Sequence, residues 1–221
     1  MTQNANIKPT LIHGCAIRVT RLNADGSHVV GAKAGYFTKG KVVDLAYTMD
    51  ITAGPVRQIT SGCNDLVVNY REPDIFNRFN FTLNVGQRDL ELEEILTAAT
   101  LHMDSSTIPV PKGSDFPAQG VMTPPQVALE IWSDLYENGV FEATPFRYAK
   151  TVFPQVRFRI NDGDFQNDAK TEQYIGYSEN NPTWGAGPYA DSTDGSVAGM
   201  GGTLWSASIA SGATPGYLTT T

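Results

Sequence analysis

Arg78-Phe79-Asn80-Phe81-Thr82-Leu83-Asn84-Val85 is the most regular alternation in the chain. Successive side chains of a strand point to opposite faces, so Phe79, Phe81, Leu83 and Val85 must share one face. Working outward, the same period of two recurs. Lys41 to Ile51 places Val43, Leu45, Tyr47, Met49 and Ile51 against Asp44, Thr48 and Asp50. Ile12 to Leu22 reads as a strand with Ile17, Val19 and Arg21 on one parity. It is followed by a tight turn at Asn23-Ala24-Asp25-Gly26 and a return through Val29-Val30. Asp65 to Tyr70 reads as a fourth strand, joined to the third by a polar, Gly- and Pro-punctuated connection over Thr52 to Asn64.

Downstream, Asp89 to Thr100 is the one persuasive helix. Leu90, Ile95 and Leu96 supply an apolar stripe with Leu92 near its edge. Asp89 suits the N-cap, and Glu91, Glu93 and Glu94 suit the positive helix start. Thr107 to Pro125 holds five prolines and reads as a long loop. Val127, Leu129 and Ile131 favour a strand over Val127 to Tyr136. Phe153 to Ile160 reads as another, with Val156, Phe158 and Ile160 alternating with Arg157 and Arg159, closed by a turn at Asn161-Asp162-Gly163-Asp164. Asn180 to Thr221, rich in Gly, Ser, Thr and Ala, reads as a flexible tail or an added surface lobe. No repeat of fixed period is present.

The 221 residues suit one ample domain with appendages. The charge of -7 argues against phosphate neutralisation and hence against nucleic-acid binding. No segment approaches the roughly 20 apolar residues that cross a bilayer. Met1 to Thr10 is polar and lacks the apolar segment of a signal peptide, which points to the cytoplasm. Cys15 and Cys63 are too few for a disulfide framework.

Little in the chain suggests chemistry. His13, His28 and His102 lack paired-ligand spacing, and His13 with Cys15 is only a weak metal hint. Asp162-Gly163-Asp164 and Asp191 to Gly195 are fragments of a calcium loop without its remaining oxygen ligands. Neither cysteine sits in a nucleophile elbow. Gly199-Met200-Gly201-Gly202 follows no expected strand, so it is no phosphate cradle. Neither a cofactor nor catalysis is expected. Trp132, Trp184 and Trp205 raise the alternative of a sugar-stacking platform, although isolated tryptophans more often serve cores and interfaces.

A more specific signal lies in four segments taken in order. They are Cys15 to Gly26 (CAIRVTRLNADG), Val67 to Asp74 (VVNYREPD), Leu90 to Thr100 (LELEEILTAAT) and Glu179 to Tyr189 (ENNPTWGAGPY). Together they resemble the major tail proteins of long-tailed siphophages infecting actinobacteria, over roughly Gly14 to Tyr189. The resemblance implies a mainly β fold: a β-sandwich or small barrel with one flanking helix over residues 11–189. A flexible N-terminal arm, 1–10, would precede it and a Gly/Ser/Thr-rich C-terminal extension, 190–221, would follow.

It also implies a structural virion protein that is not an enzyme, assembled in the host cytoplasm into stacked, generally hexameric rings around a tape-measure protein. Tail terminator and tail-tip proteins would be its other partners, and DNA would pass without specific binding. A tail terminator, connector or decoration module is the related alternative. Within this picture Asp44, Thr48, Asp50 and Asp65 are expected to line the lumen, with the opposite, apolar face of the third strand packed on the core. Thr52, Pro55, Arg57, Gln58 and Asn64 are expected to reach the adjacent ring, because a polar loop of this length has no core of its own to join.

Overall fold

A computed structural model describes residues 10–63, 66–107, 109–115, 123–137, 140–141, 147–161, 172–189, 196–197, 199–206, 209 and 215–220. In chain order the strands are β1 (Thr10–Arg21), β2 (Gly31–Lys39), β3 (Val42–Thr52), β4 (Val56–Thr60), β5 (Leu66–Arg71) and β6 (Ile75–Val85). The helix α1 (Leu90–Thr97) comes next, then β7 (Leu101–Met103), β8 (Pro111–Ser114), β9 (Gln126–Glu137), β10 (Val140–Phe141), β11 (Tyr148–Ile160), β12 (Glu172–Ser178), β13 (Gly202–Ser206) and β14 (Gly216–Thr220).

Ten strands form one sheet with the path β14-β2-β1-β9-β11-β12-β6-β3; β10 joins β9 and β13 joins β11. Its pairings are antiparallel and it closes into no barrel, so β14 and β3 remain edges. The sheet curls nonetheless, and β1 and β3 come within 8 Å without pairing. Ribbons β4–β5 and β7–β8 stand apart from it.

The curl encloses the main core. Phe81, Leu83 and Val85 of β6 meet Ile17 and Val19 of β1, Val127, Leu129 and Ile131 of β9, and Phe153, Val156 and Phe158 of β11. Helix α1 closes it with Leu92, Ile95 and Leu96. Leu92 is fully buried while Leu90 is half-buried, so the stripe is 92-95-96 (positions i, i+3, i+4) and Leu92 lies at its centre, not its edge. Asp89 caps the helix as expected, its side chain accepting from the Leu92 N–H at 3.3 Å.

The helix carboxylates are specific clamps rather than a solvated charge run. Asp89 accepts from Tyr36 Oη at 2.6 Å and Lys41 Nζ at 2.7 Å. Glu93 takes Arg88 at 3.0 Å and Ser114 Oγ at 2.8 Å, tying β8 to the helix. Glu94 takes Arg21 at 3.1 Å and the Tyr217 hydroxyl, tying β1 and β14 to it.

The reverse face of β1, β9 and β11 is also buried, although their sequences show apolar residues alternating with charged ones. Arg18 and Glu130 face each other across the β1–β9 ladder and bond at 2.5 and 3.0 Å. Lys150 of β11 reaches the same carboxylate at 3.0 Å, and all three residues are at most 2% exposed. Burying charge this deeply requires such pairing. Residues after Ser178 cover the cluster: Trp184, Val197 and Leu204 pack on Leu22, Ala128 and Val152, and the Tyr189 ring lies 3.9 Å from the Arg18 guanidinium. Asn181 fastens this cover. Its amide donates to the Gly26 carbonyl at 2.9 Å and the Pro154 carbonyl at 3.2 Å.

Several expectations need correction. The partner of β1 is Gly31–Lys39, not Val29-Val30; Ala34 to Thr38 are buried on both faces, so they show no alternation. The proline-rich loop contains β8. Residues after 189 contribute β13 and β14 to the main sheet, so their described parts are neither a free tail nor a separate lobe. Strand β1 begins at Thr10, and the rest of the expected N-terminal arm lies outside the described residues.

Candidate assembly surface

β3 and β6 are eleven residues each and run past the core. Their apolar faces show where the body ends. Phe81, Leu83 and Val85 are buried, Leu45 and Phe79 are partly buried, and Tyr47, Met49, Ile51 and Phe76 are exposed. Aromatic rings carry the transition outward. Phe81 packs on Phe153 at 4.6 Å between centroids, Tyr47 on Phe79 at 5.8 Å, and Phe79 on Phe76 at 4.9 Å. The expectation that the apolar face of the third strand packs on the core holds at Leu45 and fails at Met49, which is 62% exposed; the Val43 side chain lies outside the described residues.

Beyond this ladder the chain was expected to form a polar loop. It forms a ribbon instead: Val56 to Thr60 is β4 and pairs with β5 through Val56↔Arg71, Arg57↔Tyr70, Gln58↔Asn69 and Ile59↔Val68. Directly opposed residues share a face, so Ile59, Val68 and Tyr70 line one side with Arg57 at its margin. Gln58, Asn69, Val56 and Arg71 line the other. Every described residue of both strands is exposed. A lone two-stranded ribbon is marginal in water, and it offers none of its apolar side chains to the body. Among the described residues, eleven of the fourteen large apolar side chains that are exposed lie between Tyr47 and Phe76. Six of these lie on the ribbon and five on the ends of β3 and β6 that lead to it, so apolar exposure is concentrated at the ribbon and its base, the signature of an interaction surface. Ile59, Val68 and Tyr70 are each about half exposed, so covering them would contribute on the order of 3 kcal/mol, half of about 2 kcal/mol for each full burial.

Among the described residues, the charges of the arm and its base are paired within the subunit. Arg57 meets Glu72 at 3.2 Å, Arg71 meets Asp74 at 2.8 Å, and Arg78 meets Asp50 at 3.3 Å. The Asp74 carboxyl is held below the usual carboxylate range, first by the Gly54 backbone N–H and then by Arg71.

The residues expected at the lumen and the ring junction fall as follows. Asp44 and Thr48 are exposed on the polar face of β3, and Asp50 is half-exposed beside Arg78. Asp44 lies opposite Asn84, Ala46 opposite Thr82 and Thr48 opposite Asn80, so this face is mostly amide and hydroxyl. Gln173 of β12 extends it, donating to Asn84 at 3.0 Å. Thr52 accepts from Asn77 at 2.7 Å, the Pro55 carbonyl accepts from the Glu72 N–H at 3.1 Å, and Gln58 donates to Asn69 at 3.4 Å. Asn64 and Asp65 lie outside the described residues. The structure thus places Arg57 and Gln58 on the ribbon, Pro55 in the connector before it and Thr52 at the end of the β3–β6 ladder, with Asp44 and Thr48 further back on that ladder. Sequence reading missed Ile59, Val68 and Tyr70 as a surface. The β-forming run Val56-Arg57-Gln58-Ile59-Thr60, bounded by Pro55 and Ser61-Gly62, was the signal available.

Other candidates are weaker. Trp132 is fully buried and Trp184 is 6% exposed, so neither offers a face to a sugar. Among the described residues no three His, Cys, Asp or Glu side chains converge as metal ligands. His102 bonds Asp115 at 2.7 Å on the exposed β7–β8 ribbon. No protein-family model matches the chain, and no curated protein matches it.

Proposed function

We propose that this chain is a structural subunit that assembles with copies of itself into stacked rings, forming the tail tube of a long-tailed phage. The curled sheet with its buried reverse face would serve as the sandwich-like body. The observation that carries this reading is the arm: a ribbon outside the core, apolar on one face, with its ion pairs already closed. Another protein surface must complete it, and the edges β14 and β3 offer further places for strands to join. A heterologous contact that closes by rotation gives a ring, and stacked rings give a tube. The resemblance to siphophage major tail proteins adds the tape-measure, terminator and tail-tip proteins as partners and the virion as location.

In this reading the polar face of β3 and β6 lines the channel, and the arm meets a neighbouring subunit, Arg57 and Gln58 with it. An amide- and hydroxyl-rich wall, with Asp50 closed by Arg78, offers phosphates no free row of cations to bind. Asp44 adds a carboxylate per copy, a circle of like charge screened within about 10 Å at moderate salt.

Cryo-EM of the concentrated, purified protein is expected to reveal rings or tubes with Asp44 and Thr48 on the inner wall. A chain that stays monomeric as concentration rises would overturn the assembly reading. Tubes with Asp44 on the outer wall would overturn the lumen assignment alone.

A further inference from the structure

The arm joins the β3–β6 ladder through two three-residue connectors, Ala53-Gly54-Pro55 and Glu72-Pro73-Asp74. Each contains a proline, which has no N–H to give a ladder, so regular pairing stops at Thr52↔Ile75 and resumes at Val56↔Arg71. The gap is nonetheless bonded. Glu72 N–H donates to the Pro55 carbonyl at 3.1 Å, and Gly54 N–H donates to Asp74 Oδ1 at 2.9 Å. Arg71 holds the same Asp74 oxygen at 2.8 Å. Gly54 is buried, although its neighbours Ala53 and Pro55 are exposed. A Cβ built there would overlap the Glu72 carbonyl and stand 2.7 Å from the Pro73 carbonyl oxygen. These are backbone atoms, which cannot swing aside as a side-chain tip can. The demand is for space, because Gly54 is not among the glycines with positive φ.

We infer that this crossing is a fixed elbow, in which Gly54 and Asp74 are positioning residues that hold the β4–β5 arm at one angle so that its apolar face meets a second copy of this chain already aimed. The inference rests on the reading of the arm as the element that joins copies. Its physical basis is preorganisation: an arm that is ordered before contact loses less freedom on binding. A loop of ordinary flexibility would need neither the buried glycine nor the carboxylate that receives its N–H.

The test uses the full chain, with assembly followed by sedimentation and electron microscopy and subunit integrity by thermal unfolding of the monomer. Gly54→Ala and Asp74→Ala are expected to leave the monomer's melting temperature close to wild type, since the elbow lies outside the core. Each should raise the critical concentration for assembly by about tenfold or more, as preorganisation is lost. Asp74→Asn keeps an oxygen that can accept from Gly54, so it should restore assembly to near wild type; a purely charge-based role would not be rescued. The double variant Ile59→Asn with Val68→Asn tests the underlying reading. If it assembles normally, the arm does not join copies, and the elbow falls with it. If it blocks assembly while Gly54→Ala and Asp74→Ala assemble at the wild-type critical concentration, the elbow alone is overturned. Should Gly54→Ala fail to fold, the contrast between Asp74→Ala and Asp74→Asn decides, and equal behaviour of those two sinks the inference.

Discussion

Glu130 stands between two buried cations, with Arg18 on one neighbouring strand and Lys150 on the other. Removing the carboxylate leaves guanidinium and ammonium groups in a region that water does not reach, and breaking such a pair is far more costly than never having built it. Glu130→Ala is therefore expected to lower the unfolding free energy by about 3–5 kcal/mol, read from urea denaturation. A loss below about 1 kcal/mol, the range of an exposed pair, would show that the cluster is wet. The arm's ion pairs provide the internal contrast. Arg57–Glu72 and Arg71–Asp74 are solvent-exposed and contribute little to the stability of the body.

At the scale of elements, α1 is held by carboxylates as much as by its apolar stripe. Burial pushes the Glu94 carboxyl up, but hydrogen bonds from Tyr217 and Arg21 outweigh it and leave the group below its ordinary value. A depressed carboxylate stabilises the fold fully above its unfolded pKa of about 4.3, and this contribution is lost as pH falls through the lower folded value. Glu91 opposes it: burial and the nearby Asp89 raise its pKa, so its charge is a cost near neutrality that acid relieves. Tyr217→Phe removes one donor to Glu94 and should reduce the loss of stability on acidification below about pH 4.5, relative to wild type. Urea unfolding at a series of pH values measures this. An unchanged acid slope would mean that the Tyr217 bond does not hold β14 to the helix.

For the whole molecule, the balance of charge and apolar surface sets how copies associate. Each subunit carries -7, so copies repel one another at low ionic strength. The ion pairs of the arm's described residues close within the subunit, and the face lined by Ile59, Val68 and Tyr70 is apolar. Raising NaCl from about 0.05 to about 0.5 M screens the repulsion and should lower the critical concentration for assembly or leave it unchanged. Sulfate should lower it further by strengthening apolar burial. Light scattering across a salt series distinguishes this from a charge-paired junction, which salt would dissolve.

How much of this was legible in the sequence depended on whether a residue's environment is set locally. Phe79 to Val85, Ile17 with Val19, and Asp89 before its helix were readable because alternation and capping are properties of neighbours along the chain. Ala34 to Thr38 and the first residues of β11, where Ala149 and Lys150 are both buried, were not, because strands covered on both faces lose their alternation. Arg18, Glu130 and Lys150 looked like ordinary surface charges. They are 112 and 20 residues apart in turn, and only the pairing of β1 with β9 and β9 with β11 brings them together. The arm divides the same way. Relations between neighbours along the chain sufficed for a mainly β chain with one capped helix, a Gly- and Pro-marked break after the third strand, and an acidic balance of -7. Contacts between distant segments make this break a bonded crossing, set a ribbon beyond it, and leave the ribbon's apolar face uncovered among the described residues. Whether an apolar side chain is buried depends on what the rest of the chain places against it, and no local pattern records that nothing was placed there.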